Sequence, residues 1–255
     1  MIDNHKNFFE KEGYLIFNIN DNNLIDEVNK DIQNILLDEK SLKKNTKIYS
    51  YNKSPRIVES YKKSENCKKL GTHPEIVRMI ELLYEKKPLA FSTINFLTST
   101  QQPLHSDYAH FGTLPELMLV GSWIALEDID PDSGPLQVVP KSHKLDIYRY
   151  QDHNNGQLPS GLDEIKLQYN HYEDWVLNNI KNKNLKNITP KMKKGDCILW
   201  SANLLHGSPD CKNPGSSRKS QVTHWTLEGI KKHYNPIYSD ISKNKIIERK
   251  VEYIN

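Results

Sequence analysis

No stretch of this 255-residue chain approaches the roughly 18 consecutive apolar residues that a membrane-crossing helix requires. The first residues, Met1 to Lys6, also lack a basic segment followed by an apolar one, so a soluble cytoplasmic protein with no membrane partner is expected. Cysteine is scarce. Cys67, Cys197 and Cys211 are odd in number and follow no metal-like spacing, which argues against a disulfide framework and suits a reducing compartment. Charge of one sign is not in excess either: 35 Lys and Arg face 32 Asp and Glu, and a net +3 implies a polyanion partner only if the basic residues cluster. They do not. Lys40, Lys43, Lys44 and Lys47, then Lys181, Lys183 and Lys186, then Lys191, Lys193 and Lys194 are interleaved with Asn and other polar residues, the pattern of solvated loops and helix faces rather than of a nucleic-acid surface. Internal repeats and long Pro/Gly/Ser linkers are missing too, so one domain over 1–255 is expected.

What is present divides into two grammars. In a helical N-terminal part, about 1–87, Leu24, Ile25, Val28, Ile32, Ile35 and Leu36 recur every three to four residues and predict an amphipathic helix over Asp21 to Leu37, capped by Asp21 or Asn22. A second helix is expected from Thr72, where Thr72 and Glu75 have capping-box spacing, with a stripe of Ile76, Val77, Ile80, Leu83 and Tyr84. After Pro88 the pattern becomes β-rich: Leu89 to Thr98, Met118 to Leu126, Leu136 to Val139, Asp196 to Trp200 and Gln221 to Leu227, with Pro131 to Pro135 and Lys194 to Asp196 as turns. Helical spacing returns at Leu162, Ile165, Tyr169, Tyr172, Val176 and Ile180 and predicts a helical insertion at about 160–184 in a core of about 88–230. Many short strands with long returns favour a mainly β fold with flanking helices, a double-sheet jelly roll.

Three side chains fit a mononuclear iron site: His105 and Asp107 in Gln102-Pro103-Leu104-His105-Ser106-Asp107, and His206 in Leu204-Leu205-His206-Gly207-Ser208. Two imidazoles and one carboxylate on one side of an ion leave other positions open for a co-substrate and dioxygen. On an extended segment residues i and i+2 point the same way, so His105 and Asp107 would enter the barrel while Ser106 faces out. His206 follows an apolar strand and is expected in a Gly-containing turn. Arg218 opens the last apolar strand, and a planar guanidinium is well shaped to grip a carboxylate in a bidentate manner.

With these residues the chain resembles the iron(II)- and 2-oxoglutarate-dependent dioxygenases, and within them the phytanoyl-CoA dioxygenase-like family. The resemblance runs from about Leu89 to Leu227 and more loosely back to Phe8, Phe9, Gly13 and Tyr14. Gly121 to Asp128 supports it, as does Ser133 to His143, which is similar to the family's Gly-Pro-Leu and Pro-Gly-Ser-His run with Lys141 in place of the usual Gly. The resemblance implies a double-stranded β-helix (jelly roll, cupin-like). It implies that His105, Asp107 and His206 bind Fe(II), that Arg218 with Ser208 holds the distal carboxylate of 2-oxoglutarate, and that Trp123 lines the pocket, where a plain core aromatic is the competing reading. Thr93 and Asn95 share one strand face and are candidates to reach the co-substrate. His110 and Tyr108 face either the substrate or the packing, and His143 is read as a structural residue of its turn.

The implied reaction is hydroxylation of an unactivated C–H with O2 as second co-substrate and release of succinate and CO2. Related halogenating enzymes lack the carboxylate ligand, and Asp107 is present. Gln221 to Trp225, followed by Tyr234 to Asp240, resembles a bacterial subgroup associated with sugar and polysaccharide gene neighbourhoods, and this resemblance implies a small polar or sugar-linked metabolite as substrate; no long apolar stretch suggests a fatty-chain tunnel. The alternatives are an acyl-CoA hydroxylase of the same class, a cupin-type metal enzyme working without 2-oxoglutarate, and a non-catalytic carbohydrate-binding jelly roll.

Overall fold

The structure, a computed structural model, describes residues 2–37, 47–51, 54–153 and 158–255. Lys40, Lys43 and Lys44, read above as part of a solvated basic run, lie outside the described residues. The chain opens with helix α1 (Ile2–Glu12) and strand β1 (Tyr14–Asn18), followed by α2 (Asn22–Leu37). Helix α2 buries Ile25, Val28, Ile32 and Ile35, the stripe its spacing predicts, and Asp21 Oδ1 accepts the Leu24 N–H at 3.0 Å as cap. Strands β2 (Lys47–Tyr51) and β3 (Ser54–Val58) lead to α3 (Glu65–Gly71) and α4 (Pro74–Tyr84).

The capping expectation at Thr72 is corrected by one position. His73 is the cap of α4, its Nδ1 accepting the Glu75 N–H at 3.2 Å, while the Thr72 hydroxyl donates back to the Lys68 carbonyl and closes α3. Pro74 explains the shift: with φ preset and no N–H to satisfy, it suits the first helical position.

Beyond Pro88 come β4 (Pro88–Phe96), β5 (Gly112–Leu114), β6 (Leu119–Ala125), β7 (Gln137–Val138), helix α5 (Leu162–Asn182), β8 (Asp196–Ser201), β9 (His206–Gly207), β10 (Ser220–Leu227) and β11 (Lys232–Tyr234). Seven strands form one antiparallel sheet in the order β1-β8-β6-β10-β4-β3-β2, accompanied by the pairs β11-β5 and β7-β9. The helices cover one face of the large sheet: Ile25, Val28, Ile76 and Ile80 share a core with Val120, Ile124, Cys197, Leu199 and Trp225. The opposite residues of the same strands, Trp123, Ile198, Trp200 and Val222, meet Leu136, Val138 and Leu204 from the β7-β9 side. This alternation produces the mainly β, cupin-like jelly roll with flanking helices. Helix α5 is held alongside through Tyr172 and Val176, which pack with Val139, Leu145, Tyr148 and Leu205. Among the described residues no helix is long and apolar enough to cross a membrane.

Candidate metal centre

His105 and His206 meet through an antiparallel bridge in which each backbone N–H donates to the other's carbonyl, at 2.9 and 2.8 Å. His206 is therefore not in a free turn, as its Gly-containing surroundings suggest, but in strand β9, which pairs with β7 through Val138. Ser106 is extended (φ −105°, ψ 145°), so His105 and Asp107 point to one side. Ser106 itself faces α5, where its N–H donates to the Tyr172 hydroxyl at 2.7 Å. Asp107 then begins a short 3-10 turn instead of continuing a strand.

Ligand-capable atoms of His105, Asp107 and His206 all lie within 4.8 Å of one another. Their orientation is set from behind. His105 Nδ1 sits 2.8 Å from the Pro103 carbonyl and His206 Nδ1 3.0 Å from the Leu204 carbonyl. A carbonyl can only accept, so each neutral ring donates from Nδ1 and keeps an unprotonated Nε2 for an ion. The Trp200 indole donates to Asp107 Oδ2 at 2.7 Å, leaving Oδ1 toward the imidazoles, with Nε2 of His206 and of His224 each 3.5 Å away. Burial alone would raise the Asp107 carboxyl, but His206 and His224 beside it hold it well below the usual carboxylate range. His206 shows the complement: burial disfavours its charge, Asp107 favours it, and the result is a raised value. This donor set fits an ion that takes mixed nitrogen and oxygen ligands.

A cavity of about 280 Å³ continues inward from the three side chains and is also lined by Trp123, Ser208 and Arg218. Arg218 is 3% exposed, its Nε lacks a hydrogen-bond partner, and its guanidinium lies 5.7 Å from the Phe96 ring and 5.8 Å from that of Trp123. Burial, with Arg56 nearby, pushes it down to about 10 despite the opposing pull of Glu127. That carboxylate is already engaged, accepting the Lys219 N–H at 2.8 Å. A buried cation with an open donor, facing a cavity, fits a carboxylate arriving with a ligand.

The structure thus brings together His105, Asp107, His206, Arg218, Ser208 and Trp123 and leaves out Thr93, Asn95 and Tyr108. Thr93 and Asn95 lie on the helix-facing side of β4: Thr93 is 3.2 Å from the Ser60 hydroxyl, and Asn95 bonds to Ser60 and donates to Gln221 at 3.0 Å. The opposite parity, Ile94 and Phe96, lines the cavity. Tyr108 is packing: it is 2% exposed and bonds to Tyr234 at 3.1 Å, whereas His110 does line the cavity. His143 is structural, its Nε2 3.1 Å from the Glu10 carbonyl. Lys141, standing where the family pattern has Gly, adopts φ 70°, the left-handed conformation a glycine would accept more readily.

Trp200, His224, Gln102 and Arg56 also line this site and went unnoticed in the sequence. Gln102 connects Arg56 to the metal cluster, taking a hydrogen bond from it at 2.9 Å and lying 3.3 Å from His105 Nε2. For Trp200 and His224 the available signal was strand parity with Ile198 and Val222, which becomes usable once the facing sheet is known.

The family model for phytanoyl-CoA dioxygenase (PhyH) matches residues 9–220. The bovine peroxisomal phytanoyl-CoA dioxygenase is 26% identical over 201 residues, covering 76% of this chain and 55% of that protein; the human one is 24% identical over 76% and 54%. The chain therefore spans about half the length of these relatives. Among solved structures, the non-heme alpha-ketoglutarate-dependent epimerase SnoN from nogalamycin biosynthesis superposes with a TM-score of 0.69 at 16% identity, over 100% of this chain and 98% of SnoN. EctD from S. alaskensis with bound Fe gives 0.67 at 19% identity, over 88% and 76%. At these identities the structural likeness shows the fold, while the sequence match from residue 9 to 220 carries the assignment: the chain belongs to the phytanoyl-CoA dioxygenase family.

Proposed function

We propose that this chain is an iron(II)- and 2-oxoglutarate-dependent dioxygenase that hydroxylates an unactivated C–H of a small polar or sugar-linked metabolite. The observation that carries the reading is the buried Arg218, with an unpartnered Nε, in the same cavity as the His105, Asp107 and His206 cluster. A hydrolase or isomerase using the metal alone has no need of that cation. SnoN is known in complex with Fe3+, alpha ketoglutarate and nogalamycin RO, which supports the pairing of metal and keto acid on such a fold.

In this reading His105, Asp107 and His206 hold the iron, and Arg218, helped by the Ser208 hydroxyl, takes the distal carboxylate. When bound, iron(II) and 2-oxoglutarate supply activation of O2 coupled to oxidative decarboxylation, with succinate and CO2 as co-products. The chain's own residues do the positioning. Trp200 fixes which Asp107 oxygen faces the ion, the Pro103 and Leu204 carbonyls fix both imidazole tautomers, and Trp123 with Phe96 walls the guanidinium off from bulk water. His110, held by burial at about 4, stays neutral near pH 7 and adds no positive charge beside the ligands.

Anaerobic addition of iron(II) and 2-oxoglutarate to metal-free protein tests this. A weak visible charge-transfer band, followed in air by succinate formation, is the expected result. Preference for zinc without the band would move the reading to a cupin-type hydrolase, and no metal uptake would move it to a non-catalytic binder. A screen of nucleotide sugars and small polar acids should raise succinate formation; stimulation by an acyl-CoA instead would replace the substrate class.

A further inference from the structure

A second cavity, of about 310 Å³, opens on the outer side of the metal cluster. Gln102, His105 and His110 line both cavities, so the two meet at a proposed ligand. The outer wall comes from α5, which contributes Tyr169, Tyr172 and Glu173. Residues four apart on a helix lie one above the other on the same face, so the Tyr169 ring and the Glu173 carboxylate are presented side by side. The helix is pinned to the metal-bearing loop at two points: the Tyr172 hydroxyl takes the Ser106 N–H at 2.7 Å, and the Tyr169 hydroxyl lies 3.4 Å from His110 Nδ1. The His110 and Tyr169 rings are only 31° from parallel, with centroids 5.7 Å apart, and form a shallow aromatic wall.

Charge is divided between the cavities. Apart from Asp107 at the metal cluster, the charged residues lining the inner one are the cations Arg56 and Arg218, whereas Glu173 is the one acid in the wall of the outer one, and it forms no ion pair among the described residues. Resting on the function proposed above, we propose that this outer cavity is the substrate subsite and that it receives a puckered ring bearing hydrogen-bond donors, as a glycosyl unit does. The aliphatic C–H face of such a ring suits the Tyr169 ring, and its hydroxyl or amino groups suit the Glu173 carboxylate. A fatty acyl chain brings no donor to that carboxylate, and the phosphates of its CoA would be repelled by it. The position beside His105 sets the rest: the ring lies next to the proposed iron.

The test is saturation-transfer NMR on the zinc(II)-loaded protein with 2-oxoglutarate, using methyl glucoside, methyl galactoside, methyl 2-amino-2-deoxyglucoside and palmitoyl-CoA as probes. At least one glycoside should bind with its ring protons saturated, the amino sugar reporting whether Glu173 prefers a cation to hydroxyls. Tyr169→Ala should abolish that signal, and Glu173→Gln, at an exposed position that leaves folding intact, should weaken it about tenfold, most for the amino sugar. Asp174→Asn, which removes the same charge one residue further round the helix, serves as control and should change nothing. No binding by any glycoside, equal weakening by Asp174→Asn, or binding of palmitoyl-CoA that is sensitive to Tyr169→Ala would each overturn the subsite. Wild-type protein that forms succinate slowly without substrate yet binds no glycoside would overturn the subsite and leave the proposed function standing. Glycoside binding without the keto-acid band would do the reverse.

Discussion

Replacing Arg218 with Met should stabilise the ligand-free protein and abolish its response to 2-oxoglutarate. This cation is kept out of water with an unpartnered Nε and is pushed to about 10, chiefly by burial. A basic group whose folded value is depressed is penalised while charged, and the penalty is relieved only as pH rises through about 10. At about 1.36 kcal/mol per pH unit, the cost at neutral pH is about 3 kcal/mol. Stacking on Phe96 and Trp123 offsets about 1 kcal/mol of it. Met keeps most of the apolar stem and drops the charge, and such replacements of buried ions are often stabilising. A gain of about 1–2 kcal/mol raises the melting temperature by roughly 3–6 °C for a domain of this size. The wild type, given metal and 2-oxoglutarate at about a hundred times Kd, should gain about 2.7 kcal/mol, or roughly 5–10 °C; Arg218→Met should gain none from the keto acid. Anaerobic thermal melts with zinc(II), with and without 2-oxoglutarate, measure both. A variant that melts 5 °C lower and still responds fully to 2-oxoglutarate would show that the guanidinium serves the core and not a ligand.

Asp107→Ala should eliminate succinate formation and weaken zinc(II) binding at least a hundredfold by calorimetry; full retention of activity would remove the carboxylate from the site. Trp200→Phe deletes the 2.7 Å donor to Asp107 Oδ2. Loss of a hydrogen bond to a charged group costs about 1.5–3 kcal/mol, so zinc affinity should fall about tenfold or more, and an unchanged affinity would show that the indole does not orient the carboxylate. Gly121→Ala should act on the same bond from the other side, because a β-carbon there overlaps the Trp200 indole; melts and metal titration should both worsen. Asn95→Leu breaks a buried polar cluster with Ser60 and Gln221 and should lower stability by about 1–3 kcal/mol while the 2-oxoglutarate-dependent shift persists. In metal-free protein the close pairing of His206 with Asp107 contributes stability between the ordinary carboxylate range and the raised His206 value, lost below as Asp107 protonates and above as His206 deprotonates. Apparent zinc affinity should accordingly fall as pH drops below neutrality, which titrations at stepped pH will show.

Local chemistry determined much of this protein from its sequence. Apolar periodicity placed α2 and the strands β4, β6, β8 and β10 within a residue or two, because burying one face of a helix or strand demands that repeat wherever the element sits. The short pieces β5, β9 and β11 were not legible, since two or three residues carry no period. The side-chain types His105, Asp107, His206 and Arg218 were likewise visible, being unusual chemistry in a recognisable order. Which strand face looks inward was not. Thr93 and Asn95 alternate with Ile94 and Phe96, both faces of β4 are largely buried, and only the helices covering one side decide that the polar pair faces them and the apolar pair faces the cavity. The same is true of Trp200 behind Asp107, of His224 beside it and of the helix α5 wall, contacts between residues distant in sequence that follow from sheet register and packing, not from any neighbour along the chain.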